Sequence, residues 1–297
     1  MPDQQQMLDF YTQPARMTEI ARYATLADDL PEDVAGLART VQGLLLHEHW
    51  APAYGITLSD ERRSQTHLRP AAQMLACLLE QDGRSLTAVR SLDERGVGTC
   101  RNFTVLFVAL ARAKGIPARA RCGFGSYFVP GNFEDHWVAE YWNREQERWV
   151  RVDAQLDAFQ QGSLQPDFDV LDVPHDRFVI AGDAWAQGRS GQVDPSRFGF
   201  SFYNMTGYWF IAGNIVRDFA ALNNMEMLPW DVWGTMPGPD EPLSDEQFAF
   251  FDRLAALTRT PAACFEELRA LYEADGGLRV PATVFNAILN RQEALTA

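Results

Sequence analysis

Apolar positions recur along this chain with two different periods, and the change of period marks out its elements. Between residues 15 and 50 the spacing is helical. Val34, Leu37, Val41, Leu44 and Leu45 form a stripe, and Pro31 suits the first turn of that helix. The run ends at His47-Glu48-His49-Trp50, and Pro52 and Gly55 break it. Residues 69–81 predict another helix, with Met74, Leu75, Leu78 and Leu79 on one side. Residues 1–12 read as a frayed tail, and 83–99 as mostly loop, ending in the glycine-rich Gly96-Val97-Gly98-Thr99.

From Cys100 to Lys114 the pattern is different. Phe103, Val105, Leu106, Phe107, Val108, Leu110 and Ala111 point in nearly every direction around a helix axis, which places the helix in the middle of a core. Thr99 is its candidate N-cap, and Gly115-Ile116-Pro117 is a coherent stop. A period of two follows. Ala118 to Cys122 reads as a half-buried strand, 123–135 as a loop rich in glycine and aromatics, and His136–Trp142 with Trp149–Asp153 as a hairpin. A turn centred on Arg144-Glu145 sets Glu140 opposite Trp149, Val138 opposite Arg151 and His136 opposite Asp153. Directly opposed residues share a face, so that register brings His136 and Asp153 side by side.

After about residue 185 the character changes. Residues 198–235 are aromatic-rich, and 236–242 form a turn-rich connector. Ser244-Asp-Glu-Gln247 is a capping box opening a helix to about Thr258, and two more helices are expected near 261–274 and 281–290. The elements this pattern predicts are a central buried helix, a strand and a hairpin, with helices on either side. The core is expected over residues 13–185, including N-terminal helices, and a mainly helical, aromatic-rich C-terminal region over 186–297, packed on that core.

Composition narrows the function. Hydrophobic residues make up 46% and charged residues 22%, ordinary for a globular protein. The formal net charge of −14 argues against a nucleic-acid role, which needs a basic footprint, and against anionic membranes. No stretch approaches the ~20 apolar residues of a membrane span. The start, Met-Pro-Asp-Gln-Gln-Gln-Met, has no basic or apolar leader region, so the expected compartment is the cytoplasm. Cys77, Cys100, Cys122 and Cys264 contain no CxxC pair and are expected as free thiols. His47 and His49, two apart, diverge on a helix, so no metal site and no cofactor is expected.

Cys100 then stands out. A helix start favours the thiolate of a cysteine placed there, through its free N–H groups and dipole. His136 and Asp153 follow at strand-like positions, so the three residue types fit a thiol nucleophile, its base and the base's orienter. The backbone N–H of Cys100 is a natural oxyanion donor, and Asn102 and Trp50 are candidates for the second. Asp135 adjoins His136 but points the other way on a strand, Asp157 is a weaker alternative orienter, and Cys122 reads as core. The loop 123–135 fits a substrate lid or a segment folded on the core, and 223–234 fits packing better than a pocket border.

Here a resemblance enters. Gly98-Thr-Cys100-Arg-Asn-Phe, continuing through Leu106 to Arg119, resembles the nucleophile segment of the transglutaminase-like superfamily. Asp135-His136-Trp137-Val138-Ala139-Glu140 and Trp149-Val150-Arg151-Val152-Asp153 are similar to its histidine and aspartate segments. The resemblance spans roughly residues 96–155 and implies a papain-like α+β core, a central buried helix packed on an antiparallel sheet with helical N- and C-terminal flanks, with Cys100 as nucleophile, His136 as base and Asp153 as orienter. Members often have Pro-Thr after the aspartate, where this chain has Ala154-Gln155, and Ala-Trp after the histidine, where Trp137 follows directly. The superfamily includes crosslinkers, peptidases, deglycosylating amidases and acyltransferases, all passing through a thioester. It implies a peptide, amide or thioester substrate, hydrolysed by water or transferred to an amine. A non-catalytic binding module that kept the fold is the rival expectation.

Overall fold

The chain begins in a helix, not a tail. In this computed structural model, which describes residues 2–239 and 241–295, α1 (Pro2–Thr12) buries Met7 and Tyr11, four positions apart on one face. The architecture is α+β, 43% helical and 17% strand. Two compact units divide the chain: residues 1–120 with 138–173, and residues 121–137 with 174–297.

In the first unit, α2 (Val34–Leu44) carries the predicted stripe, with Leu37, Val41 and Leu44 fully buried. Pro31 lies ahead of it rather than in its first turn; Asp33 is the N-cap, its Oδ1 accepting the Gly36 N–H at 2.7 Å. The chain then enters β1 (Leu45–His47), α3 (Asp60–Ser64), α4 (Ala71–Gln81), β2 (Gly96–Gly98) and α5 (Cys100–Ala113). The first thirteen of the fourteen residues of α5 are buried, as its all-round apolar pattern requires, and α2 and α4 pack against it. At its end Gly115 takes φ 71°, a left-handed conformation that glycine adopts without strain. Strands β3 (Ala118–Gly125), β4 (Phe133–Asn143) and β5 (Arg148–Val152) and helix α6 (Ala158–Leu164) follow, and the division between the units falls within β3 and β4.

The β4–β5 hairpin forms, but in a register two residues away from the expected one. Trp142 pairs with Trp149, Glu140 with Arg151 and Ala139 with Val152. Turn chemistry is one cause. A two-residue turn on Arg144-Glu145 would need left-handed backbone that Asn-Gly pairs favour and these residues do not. The loop is instead four residues long, with Glu147 at φ 50° and the Asn143 side chain accepting the N–H groups of Glu145 and Gln146. Charge is the other cause: the observed register lets Arg151 Nε reach Glu140 Oε1 at 3.2 Å, while Arg119 Nε donates to Oε2 at 2.8 Å. His136 and Asp153 are therefore not directly opposed by this register, and Asp153 donates its N–H to Val170 O at 2.8 Å.

The loop leading to β2 is held by Asp82, whose Oδ1 accepts Arg84 Nε at 2.7 Å and whose Oδ2 lies 2.8 Å from Arg90 Nε. The hydrogen bond from Arg84, above all, holds the Asp82 carboxyl down to about 2. A carboxyl depressed below its unfolded value of about 3.9 adds stability above that value, lost as the pH falls through its folded value. Urea midpoints should therefore decline between about pH 4 and about pH 2, and Asp82→Asn should remove that component of the decline.

The second unit contains β6 (Phe178–Ile180), α7 (Ala181–Arg189), β7 (Phe198–Phe200), β8 (Met205–Thr206), α8 (Tyr208–Leu222), β9 (Asp231–Val232), α9 (Asp245–Arg259), α10 (Phe265–Ala274), β10 (Thr283–Asn286) and β11 (Arg291–Ala294). Gly123–Gly125 of β3 pair antiparallel with β6, and Phe133 and Glu134 of β4 pair in parallel with β7. Its core is α8, packed by α7 and α9. The capping box at Ser244 and Gln247 opens α9 as expected. The helix expected near 281–290 is instead the β10–β11 hairpin, paired with β9. The Asn286 side chain accepts the Leu289 N–H at 3.0 Å, and Asn290 at φ 48° turns the chain. The connector 236–242 is a turn-rich segment in which Asp240 lies outside the described residues.

Candidate active site

Cys100 is the first residue of α5, directly after the N-cap Thr99, and is 7% exposed. The glycine approach is not simply loop. β2 pairs in parallel with β1, His47 against Gly98, and the Glu48 N–H donates to Gly98 O at 3.0 Å. Gly98 is required there, since a Cβ would come within 2.8 Å of Asn102 Cβ. The segment 47–50 therefore runs beside the strand that delivers Cys100, with the His47 ring 6.2 Å from that of Phe103. Burial pushes the Glu48 carboxyl up against the opposing effect of Arg63, and burial and then Arg63 push His49 down. His47 Nδ1 accepts the His49 N–H at 3.3 Å.

The Asn102 side chain is engaged at the helix start. Its Oδ1 accepts the Thr99 N–H at 2.9 Å and the Thr99 hydroxyl at 3.0 Å, and its Nδ2 donates to Leu68 O at 3.0 Å. Arg101 Nη1 donates to Arg69 O at 2.6 Å, so both residues after Cys100 tie the helix start to one segment. Asn102→Ala should cost about 1–3 kcal/mol, from the lost cap and an unpaired buried carbonyl. Asn102→Asp, which keeps the capping oxygen, should recover part of that in urea denaturation. Trp50 donates its backbone N–H to His47 O at 3.0 Å and is half-buried.

Asp153, in the same unit as Cys100, is fully buried, and its Oδ1 accepts the Gln155 N–H at 3.1 Å. Asp157 is the N-cap of α6, accepting the N–H groups of Phe159 and Gln160 and the Tyr54 hydroxyl, and so is committed to structure. His136 belongs to the second unit and is 2% exposed. The rings of Phe128, Tyr127 and Phe178 lie 4.8, 5.9 and 6.2 Å from its imidazole. The aromatic loop thus folds onto the histidine, and β3 runs further than expected, to Gly125. Asp135 turns to α8, where its Oδ1 accepts Asn214 Nδ2 at 2.6 Å. Burial pushes that carboxyl up, against the opposing effects of Asn214 and Arg217. Cys122 is fully buried, its N–H donating to Asp218 Oδ1 at 2.9 Å. In residues 223–234, Met227, Leu228 and Trp233 pack as core.

Gln155, Gln160 and Tyr54 enter the surroundings of Asp153 without having been anticipated. Their one sequence signal is Gln155 itself, in the segment that departs from Pro-Thr.

No curated protein matches the chain. Among solved structures, a candidate cysteine protease from Cytophaga hutchinsonii is similar at 19% identity over 57% of this chain, with a TM-score of 0.34. The match spans 44% of that chain, so less than half of its length is represented. Residues 63–154 match the family model of the transglutaminase-like superfamily, and it is over this segment, which holds Cys100, His136 and Asp153, that the chain is transglutaminase-like.

Proposed function

We propose that the protein is a cysteine-dependent amide or thioester hydrolase or acyltransferase, with Cys100 as nucleophile, His136 as base and Asp153 as the orienter of that base. The single observation that carries the reading is Cys100 as the first residue of a capped helix whose first thirteen residues are buried. The N–H groups at a helix start favour a developing oxyanion beside them. The transglutaminase-like match over residues 63–154 supports a cysteine-enzyme fold around it.

In this reading the Cys100 sulfur attacks the acyl carbon while His136 takes the thiol proton. The tetrahedral intermediate collapses, His136 returns the proton to the leaving amine or thiol, and a thioester remains on Cys100. Water or an amine, deprotonated by His136, then attacks the thioester and releases the acid or the new amide. No metal or cofactor takes part. The net charge of −14 supports a small-molecule or peptide substrate over nucleic acid, and we place the enzyme in the cytoplasm. The catalytic core is assigned to residues 13–185 and the C-terminal region to 186–297. The test is site-resolved alkylation of the four cysteines by iodoacetamide, in the parent and in His136→Ala.

A further inference from the structure

The turn after Asp153 carries a chain of hydrogen bonds whose direction is fixed from one end. Asp157 Oδ2 accepts the Tyr54 hydroxyl at 2.6 Å, and its Oδ1 accepts the Phe159 and Gln160 N–H groups, both at 3.0 Å. Both Asp157 oxygens accept in these contacts, so Tyr54 is the donor. Burial first, and the Asp157 bond second, raise the Tyr54 hydroxyl above the usual phenol range, so it keeps its proton. The Tyr54 oxygen is left to accept, and it takes Gln160 Nε2 at 3.4 Å. The Gln160 carbonyl then faces away and accepts Gln155 Nε2 at 2.9 Å. Gln155 Oε1 is the free end, a buried carbonyl with no hydrogen-bond partner among the described residues. Turning that amide over would set two carbonyl oxygens against each other, so its orientation is imposed by Asp157 through Tyr54 and Gln160.

Gln155 also holds Asp153 directly, through its backbone N–H on Oδ1 at 3.1 Å. Gln42 and Gln161 fix the neighbouring residue, both donating to Leu156 O, at 3.2 and 2.7 Å. We propose that Tyr54, Gln160 and Gln155 are positioning residues for Asp153, a directional relay that pins residues 153–157 and so sets how firmly the Asp153 carboxylate supports the base. The proposal rests on the reading of Asp153 as orienter.

The test is the pH profile of Cys100 alkylation by iodoacetamide in the full chain, with the thermal midpoint measured alongside. A loosened Asp153 stabilises the imidazolium less, so the thiolate–imidazolium pair forms at higher pH and reacts more slowly. Tyr54→Phe removes one oxygen, and Gln155→Glu sets a second acceptor against Gln160 Oε1. Each should lower the plateau rate about three- to tenfold and move the acid limb upward. Gln160→Glu keeps the acceptor that Gln155 needs but sets a carboxylate oxygen against the Tyr54 oxygen, whose proton Asp157 holds, so it breaks the relay at its other link and should lower the plateau rate by a similar factor. A purely structural role would lower the thermal midpoint and leave the profile in place. Folded Tyr54→Phe and Gln155→Glu proteins whose profiles overlay the parent's overturn the proposal. A folded Gln160→Glu protein whose profile overlays the parent's also overturns it, because the link to Tyr54 would then transmit nothing. If parent Cys100 reacts no faster than Cys264 and ignores His136→Ala, the enzyme reading falls first and this proposal with it.

Discussion

Iodoacetamide should alkylate Cys100 before Cys77, Cys122 or Cys264, and His136→Ala should slow that one reaction by about 10²–10⁴-fold. Exposure alone predicts another order. Cys77 and Cys264 are half-buried, Cys100 is 7% exposed and Cys122 is fully buried. If access governed the rates, Cys77 and Cys264 would lead. Chemistry works against Cys77, whose thiol is pushed up by burial and then by Glu80 and Glu61. Among the described residues, the side-chain partner of Cys264 Sγ is the Thr260 hydroxyl, at 3.4 Å. A Cys100 that leads despite its burial is therefore activated rather than accessible. Site-resolved mass spectrometry at short times, with the parent and His136→Ala run in parallel, reads both the order and the dependence. Equal rates at Cys100 and Cys264, unmoved by His136→Ala, would sink the enzyme reading and favour a binding module that kept the fold.

What was legible in the sequence was local. The cap at Thr99, the buried α5 and its Gly115 stop depend on residues within a few positions of one another, and they stand where expected. The capping box at Ser244 is legible for the same reason. The hairpin existed in the pattern but its register did not, because the decision is made by Arg119 acting on Glu140 from twenty-one residues away and by a four-residue turn. The Asn102 side chain's bond to Leu68 O was not legible, because that partner lies thirty-four residues back. The three-residue parallel pair of β1 and β2 is too short to show a period of its own. Helix α8 escaped because it is buried on nearly every side, so no amphipathic stripe marks it. Its polar residues, Asn214, Arg217 and Asp218, look misplaced in an apolar run until their partners are known. Asn214 meets Asp135, Arg217 Nη2 donates to Asp231 O at 3.1 Å, and Asp218 meets Arg121.

That last contact makes Asp218→Ala the most damaging single substitution expected in the second unit, at about 3–5 kcal/mol. Arg121 Nε and Nη2 donate to the two Asp218 carboxylate oxygens at 2.9 and 2.8 Å, and Nη2 also donates to Thr258 O at 2.8 Å. Asp218 Oδ1 takes the Cys122 N–H as well, so one carboxylate joins β3 to α8 while its arginine reaches α9. Both side chains are almost wholly excluded from solvent. The loss would not measure what the pair contributes, since desolvating two charges offsets most of their attraction. It measures the cost of a guanidinium left buried without its counter-charge. Removing both charges together, with Arg121→Met and Asp218→Leu in one chain, should therefore recover most of the stability lost in Asp218→Ala, although the Cys122 N–H stays unpaired. Urea midpoints of the three proteins separate these cases. A double variant as unstable as Asp218→Ala would mean that the backbone bonds to Cys122 and Thr258, rather than the charge, hold this part of the unit together.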